Sequence, residues 1–249
     1  MAQVKPPFGR VLLRLFTVQA SWNYERMQGV GFGVAEEPFL RELPGGQPTA
    51  EYRAALARGA HFFNAHPYLC GLAVGAAARA EFDGASPQEV ERLRTALCGP
   101  LGSLGDRLVW AAWLPFASGL ALIGVGLGLG WTAIVGFLLL YNAVHVALRW
   151  WALRAGWAYG TRVATALRQP FLQRAEAALG PGMALAMGAA LPLAAGYLGG
   201  PFSSWGRATV AGVATIGFVL LRWRGLRVTG FRFGLSAAAV ALVTAWVWR

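Results

Sequence analysis

The sequence predicts an all-α, polytopic integral membrane protein, and three observations support this fold class. The chain of 249 residues is 56% hydrophobic and 13% charged, whereas about 25% of the residues in a typical soluble domain are charged. Its apolar runs are long enough to cross a bilayer, which takes about 20 residues. Arginines separate these runs, as is typical of cytoplasmic loops. We expect about four to six membrane-embedded helices, some broken or re-entrant, after an N-terminal interfacial amphipathic helix.

The charges are unevenly distributed along the chain. There are 22 basic and 11 acidic residues, which gives a net charge of +11. Such an excess is compatible with binding to nucleic acid or to a membrane surface. Because the basic residues stand between apolar runs, we favour the membrane and expect no nucleic-acid partner. Ten of the eleven acidic residues lie at or before Asp106. We therefore divide the chain into an N-terminal part, 1–106, and a transmembrane part, 107–249.

Three helices are expected in the first 80 residues. Over 8–20, apolar residues opposed by two arginines predict a short amphipathic helix at the membrane interface. A glycine-containing helix over 21–43 should end before a glycine- and proline-rich loop at 44–48. Thr49 can cap the following helix, which is predicted over 50–80.

The next predicted elements are one polar helix and two spans. A serine and a proline at 86–87 open the helix, which we expect to end at the Gly-Pro pair 99–100. Between Arg107 and Arg149 lie 41 residues without charge. That length is enough for two spans of about 20 residues each. The glycine-rich stretch 124–130 is the expected bend between them.

The remaining sequence predicts a basic connector and further apolar segments. Arginines mark the connector at 149–174, a span is expected near 182–199, and apolar segments follow at 208–221 and 233–248. The connector and the arginines at 222–227 should both be cytoplasmic, and the C-terminus should then face outward. No signal peptide is evident, so a cytosolic N-terminus is expected.

Polar residues interrupt the apolar sequence in three clusters, and the first cluster is SWNYERMQ at 21–28. Polar groups inside a membrane are costly unless paired and often mark a substrate path. This cluster combines Asn23, Glu25 and Gln28 with Trp22. Carboxylate and amide groups bind sugar hydroxyls, and an aromatic ring stacks on the sugar. An interfacial helix with a Glu–Arg pair explains the same residues equally well.

The second cluster, FFNAHPY, occupies residues 62–68. Pro67 disfavours a helical conformation at His66. A break there would aim Asn64 and His66 into a cavity, as in the broken helices of transporters. A structural histidine beside a kink is an equally good interpretation.

The third cluster, CGPLGSLGD, occupies residues 98–106. Its three glycines and Pro100 are expected to prevent a regular helix. Asp106 opens the first uncharged run, so it can act as a helix N-cap, which we favour. Alternatively, Asp106 binds a ligand or a backbone amide.

The sequence predicts no catalytic residue, no metal site and no cofactor. Cys70 and Cys98 lie far apart in apolar or Gly-Pro surroundings, which is typical of small buried residues. His61 and His66 are five residues apart and lack the HExxH pattern of zinc proteases. Nucleotide-binding and hydrolase motifs are also missing from the sequence.

Together, the clusters resemble the IID component of the mannose/fructose/sorbose family of the phosphoenolpyruvate-dependent sugar phosphotransferase system (PTS). QASWNYERMQGVGF at 19–32 is similar to the family's N-terminal signature. HFFNAHPY at 61–68 is similar to its FFNTHPY-type motif, and CGPLGSLGD at 98–106 to its MGPLAGIGD-type loop. The AYG sequence at 158–160 is similar to a further family element. The segment 169–201 is shorter than is usual in the family.

The resemblance implies a non-catalytic, multi-pass subunit of the bacterial cytoplasmic (inner) membrane. Its obligate partner would be a IIC membrane subunit, with which it would form a trimer of IIC–IID heterodimers. Cytosolic IIA/IIB subunits would phosphorylate the incoming hexose. A regulatory or sensory membrane protein derived from this family, without net sugar uptake, is the alternative.

The resemblance also implies which residues bind the sugar. Glu25 and Asn64 are expected to contact it directly. The full predicted set is Glu25, Asn64, Asn23, Gln28 and His66, with Trp22 and Asp106 in support.

Overall fold

The computed structural model describes residues 6–43, 47, 49–199 and 212 of the chain. Within these residues the protein is helical and has no β-strand, which confirms the all-α prediction. Contacts divide the chain into two compact units. The first comprises the described residues of Met1–Leu114 and Leu139–Leu179, and the second those of Pro115–Leu138 and Gly180–Arg249. The functional boundary that we placed at residue 106 stays a prediction.

Ten helical elements follow one another in the described residues. They are α1 (Phe8–Leu15), α2 (Gly29–Leu40), α3 (Ala50–Gly59), α4 (Cys70–Phe82), α5 (Pro87–Gly105), a π-helix (Asp106–Trp113), α6 (Leu114–Gly126), α7 (Trp131–Tyr159), a 3₁₀-helix (Gly160–Arg168) and α8 (Pro170–Gly199). Two predicted starts are confirmed by their caps. The Thr49 hydroxyl accepts the backbone N–H of Tyr52, and Ser86 and Glu89 form a reciprocal capping box.

The predicted helices of the first 80 residues are shorter in the structure. The first ends at Leu15, and its side chains Val11 and Leu15 are buried in the first unit; its interfacial position stays a prediction. The helix predicted over 21–43 begins only at Gly29. The helix predicted over 50–80 is two helices, α3 and α4, separated by an irregular loop at 60–69. Pro67 lies in that loop, as the sequence indicated.

The predicted end of α5 at Gly99-Pro100 is wrong. The α-helix continues through Pro100 to Gly105, and the π-helix follows without a break. Pro100 thus lies inside a helix, although a proline there removes one backbone donor and often kinks or ends the helix. Asp106 therefore has helical backbone on both sides and makes no side-chain cap. The interpretation of Asp106 as an N-cap is wrong for this reason.

Three glycines bring the backbones of α4 and α7 into contact. A Cβ atom at Gly75 would lie 2.5 Å from the carbonyl oxygen of Leu153 and 2.6 Å from the nitrogen of Trp157. A Cβ at Gly156 would overlap the backbone of Leu72, and Gly71 faces Leu153 in the same way. Small residues four apart allow such close helix packing in membranes. The crossing places the loop before α4 beside α7.

The bend predicted at 124–130 is confirmed. Helix α6 ends at Gly126 and α7 begins at Trp131, and both Gly128 and Gly130 have positive φ angles that suit glycine. Two helical stretches of the described residues, Pro87–Gly126 and Trp131–Leu191, are long and apolar enough to cross a membrane. The segments predicted at 208–221 and 233–248, and the arginines at 222–227, lie outside the described residues, as does nearly all of the loop at 44–48.

The basic connector predicted at 149–174 is largely helical. Helix α7 runs through Arg149 and Arg154 to Tyr159, and the 3₁₀-helix and α8 follow. Arg149 is only 4% exposed. Long-range packing therefore buries it in the first unit, and the cytoplasmic position of the connector stays a prediction.

A buried cluster of charges fixes the end of α3. Arg94 of α5 donates hydrogen bonds to the carbonyl oxygens of Arg58, Gly59 and His61. A cation at a helix C-terminus interacts favourably with the helix dipole. Glu36 of α2 lies in the same region, and burial raises its pKa to about 8 against the opposing effect of the positive charges of Arg94 and Arg58. The cluster holds the start of the 60–69 loop.

Candidate binding site

An open cavity of about 210 Å³ lies within the first unit, where all three polar clusters meet. Drug-sized ligands occupy pockets of roughly 300–1,000 Å³, so this cavity suits a ligand the size of a monosaccharide. It is lined by Gln19, Trp22, Gln28, Asn64, Ala65, His66, Pro67, Gly102, Asp106 and Trp110.

The 60–69 loop is anchored to the start of α2 by Gln28. The side-chain Nε2 of this buried residue donates to the carbonyl oxygen of Ala65 at 2.7 Å, and its Oε1 accepts the N–H of Ala65 at 3.4 Å. Its backbone N–H donates to the carbonyl oxygen of Phe63 at 2.8 Å. Both ends of the amide are thus used within the protein. Gln28 therefore holds the backbone of the 60–69 loop in the cavity wall.

The hydrogen bonding of His66 indicates which of its ring nitrogens carries the proton. Its Nδ1 accepts the backbone N–H of Tyr68 at 3.2 Å, so the neutral ring carries its proton on Nε2. Burial, aided by the positive charge of Arg149 and by His145, lowers the pKa of His66 to about 4. His66 is 2% exposed, and Nε2 has no partner among the described residues. A buried donor without a partner is costly, so a ligand that accepts from it gains binding energy.

Asn64 and Asp106 are, with Gln19, the exposed polar side chains of the cavity wall. Neither forms a side-chain hydrogen bond or ion pair with another described residue. An amide both donates and accepts hydrogen bonds, and an ionised carboxylate accepts several. These two side chains can therefore bind hydroxyl groups without first giving up a protein partner.

The π-helix aligns Gly102, Asp106 and Trp110 along the cavity. In an α-helix, four residues complete slightly more than one turn. In a π-helix, whose hydrogen bonds join residues five apart, four residues complete slightly less than one turn. The two offsets have opposite directions, so the change of helix type keeps the three residues on one face. The Trp110 ring lies 5.0 Å from the His66 ring between centroids.

The first cluster is a turn and not a helix, and this changes the positions of its residues. The backbones of Asn23 and Met27 pair with each other, and the Asn23 Oδ1 accepts the N–H groups of Glu25 and Arg26. Met27 has a positive φ of 52°. Asn23 and Glu25 do not line the cavity, and the Glu25 side chain is 84% exposed. Of the five predicted sugar contacts, Asn64, Gln28 and His66 meet at the cavity, together with the supporting residues Trp22 and Asp106.

Comparison with known sequences identifies the family. The sequence pattern of the "PTS system mannose/fructose/sorbose family IID component" matches residues 5–194. The chain belongs to this family. The IID resemblance seen in the three motifs is thereby confirmed, and IID components are membrane subunits of a phosphotransferase complex.

Several relatives of this IID chain have known functions. The sorbose-specific EIID component of Klebsiella pneumoniae is 34% identical over 173 residues, which cover 66% of this chain and 61% of that protein. The mannose-specific EIID component of Escherichia coli K12 is 29% identical over 171 residues, with coverages of 66% and 59%. The fructose permease IID component of Bacillus subtilis is 30% identical over 151 residues, with coverages of 57% and 53%. The chain thus spans about three fifths of the length of these relatives.

Two solved structures share the fold. One, described as a membrane protein, is 26% identical with a TM-score of 0.66 and covers 76% of this chain and 70% of its own. The other, a cryo-EM structure of the mannose transporter ManYZ with microcin E492, is 25% identical with a TM-score of 0.53, with coverages of 73% and 68%.

The IID chain has cavity residues that the motifs did not reveal. Trp110 and Gln19 were missed because one lies in an apolar run and the other at the edge of the first motif. Only the π-helix brings Trp110 to the cavity, and no sequence pattern that we used detects such a helix. In the described part of the chain, no three His, Cys, Asp or Glu residues are grouped so that they could hold a metal ion.

Proposed function

We propose that this IID chain is the membrane subunit of a mannose-type phosphotransferase system and binds a hexose in the cavity of its first unit. With a IIC partner it would move the sugar across the cytoplasmic membrane, coupled to phosphorylation by a IIB subunit. One observation carries the proposal: the three family motifs converge on a monosaccharide-sized cavity in which His66, Asn64 and Asp106 have bonding capacity left for a ligand.

The cavity chemistry suits a neutral sugar. The Nε2–H of His66 donates to a sugar oxygen, the Asn64 amide donates and accepts, and the Asp106 carboxylate accepts from hydroxyls. Trp22 and Trp110 supply aromatic rings against which the apolar face of a sugar ring can pack. No residue of the cavity is an activated nucleophile, which fits a subunit that leaves phosphoryl transfer to IIA/IIB.

The partners and the remaining contacts are part of the same proposal. The relatives bear names that specify sorbose, mannose and fructose, which supports a hexose as substrate. The likeness to ManYZ supports a complex with other subunits of the system. The obligate IIC subunit, the trimer of IIC–IID heterodimers and the bacterial inner membrane are proposed on the family resemblance. Asn23 and Glu25 are proposed as contacts on the motif alone, since both lie outside the cavity wall.

Sugar uptake by whole cells tests the proposal. Bacteria lacking their own mannose-type system would express the full chain with its IIC, IIB and IIA partners, and uptake of labelled mannose, fructose and sorbose would be measured. We expect uptake of at least one sugar and its loss when either membrane subunit is omitted. We also expect the variant with both Asn64→Ala and His66→Gln to lose most uptake.

The matched control is His61→Gln. His61 lies five residues before His66 but is exposed, outside the cavity, and paired with Glu91 through its Nδ1 at 3.0 Å. Its replacement should leave uptake close to wild type. Equal uptake by the double variant and by the control would refute the proposed site. Sugar binding without any uptake would refute transport and favour the sensory alternative.

A further inference from the structure

Arg149 is a buried cation that the proposed sugar contacts do not use. It is the first charged residue after the long uncharged stretch of α7. Its Nε donates to the Nε2 of His145 at 2.7 Å, and its Nη1 donates to the carbonyl oxygen of Leu15, at the end of α1. In the part of the chain that the structure describes, no carboxylate forms an ion pair with it.

Packing alone does not account for a charge at this place. Removing a cation from water is costly, and an apolar residue of similar volume often replaces a buried ion without loss of stability. The Leu15 carbonyl and the helix dipole of α1 compensate only part of this cost. Arg149 also lies over the rings of Phe16 and Tyr68, and the contact with Tyr68 leads to the cavity residue His66.

Contacts through Tyr68 connect Arg149 to His66. The Arg149 guanidinium lies 5.1 Å from the centroid of the Tyr68 ring, and the His145 ring stacks on the same ring at 4.0 Å with an interplanar angle of 9°. Because Arg149 donates to Nε2 of His145, it fixes the orientation of the ring that stacks on Tyr68. The backbone N–H of Tyr68, in turn, donates to Nδ1 of His66.

We propose that Arg149 is a positioning residue of the sugar site, which holds Tyr68 and, through it, the His66 ring in place. This inference rests on the proposed function, because it assigns a role at the same cavity. The cation opposes a second positive charge on His145 or His66. Asp106, on the π-helix, is the carboxylate that lines the same cavity. The charge at position 149 therefore adds to burial, which is the larger effect, in lowering the pKa of His66.

Sugar binding at two pH values tests the proposal. The IID chain would be purified with its IIC partner, and binding of mannose, fructose and sorbose measured by calorimetry at about pH 5.5 and about pH 7.5, on either side of the ordinary pKa of histidine. In the wild type we expect equal affinity at both values, since His66 stays neutral. In Arg149→Met we expect weaker binding at both values and some further loss at the lower pH, because removal of the cation raises the pKa of His66, although burial still lowers it.

Two further variants separate charge from geometry. Arg149→Lys retains the cation but cannot make both hydrogen bonds, so we expect weaker binding, by about fivefold or more, that is independent of pH. Adding His66→Gln to Arg149→Met should abolish the pH dependence, because glutamine does not titrate. The matched control is Arg154→Met, since Arg154 lies on the same helix, is exposed, and contacts the rings of Phe8 and Trp150.

Each outcome decides between the two proposals. If the wild-type complex binds none of the sugars, the proposed function fails and the role of Arg149 with it. If the wild type binds a sugar and both Arg149 variants bind with the affinity and pH dependence of Arg154→Met, the proposed function stands and the positioning role is refuted. If Arg149→Met does not assemble with its partner, Arg149→Lys decides alone: a weaker, pH-independent affinity supports the role, and wild-type affinity overturns it.

Discussion

Replacement of Gly105 by alanine should weaken sugar binding without preventing the protein from folding. Gly105 is the last residue of α5 and packs directly against His66. An added Cβ would overlap the Cβ and Cγ of His66 and lie 3.0 Å from its Nδ1. Carbon atoms prefer separations of about 3.5–4.0 Å, so His66 must move by on the order of 1 Å. That displacement is enough to misalign a hydrogen bond to a bound sugar.

The expected magnitudes follow from two opposing effects. Alanine in place of glycine in a helix stabilises it by about 1 kcal/mol, while overpacking a filled site costs about 1–3 kcal/mol. The free energy of unfolding should therefore fall by about 0–2 kcal/mol. Loss of the His66 hydrogen bond weakens binding by about 0.5–1.5 kcal/mol, and an unsatisfied donor costs more. A loss of affinity of about tenfold is expected.

The matched control for this prediction is Gly99→Ala. Gly99 lies in the same helix, but a Cβ there would meet no atom within 4 Å. This variant should be as stable as the wild type or more so, with unchanged affinity. Thermal unfolding and sugar binding of the purified IIC–IID complex would be measured for both variants. Wild-type affinity in Gly105→Ala would show that the position of His66 does not matter to the ligand, and the reasoning would be wrong.

Three further predictions concern other parts of the chain. Trp110→Ala should weaken sugar binding by about tenfold in calorimetry because a stacking surface is lost, whereas Trp110→Phe should retain most of the affinity. Gly75→Leu should prevent formation of a stable complex, seen as loss of a monodisperse peak in size-exclusion chromatography, because backbone atoms of α7 occupy the space of its side chain. The pKa of Glu36 is raised from 4.5 to about 8, so the folded state binds more protons than the unfolded state, and stability falls as pH rises between these values. Glu36→Gln should remove that decline when the free energy of unfolding is measured over this pH range. An unchanged decline would contradict the assignment to Glu36.

Much of the site was predictable because its polar residues stand out against an apolar sequence. Asn64, His66 and Asp106 were recognisable as candidates from the clusters alone, and Pro67 correctly indicated a break before α4. The membrane class followed from composition and from the length of the uncharged runs. These properties depend on residue type and local spacing, which a sequence contains in full.

Other features depended on contacts between distant parts of the chain. The first cluster forms a turn in which Asn23 binds its own backbone neighbours, and the end of the turn pairs with Phe63 far along the chain, so Glu25 lies away from the cavity. Helix α5 continues past Pro100 and changes to a π-helix, which places Trp110 beside His66. The local pattern indicated a helix in the first case and a helix end in the second. Neither prediction took account of tertiary packing, which decided both.

The sequence by itself determined that this chain is a helical membrane protein of the IID family and which polar residues could serve a sugar. Only the tertiary structure decided which of them meet at one cavity. It also decided that Arg149, expected among cytoplasmic arginines, is buried and is connected to His66 through Tyr68. The physical reason is that residue type fixes what a side chain can bond to. Its burial, protonation state and partners depend on residues far away in the chain.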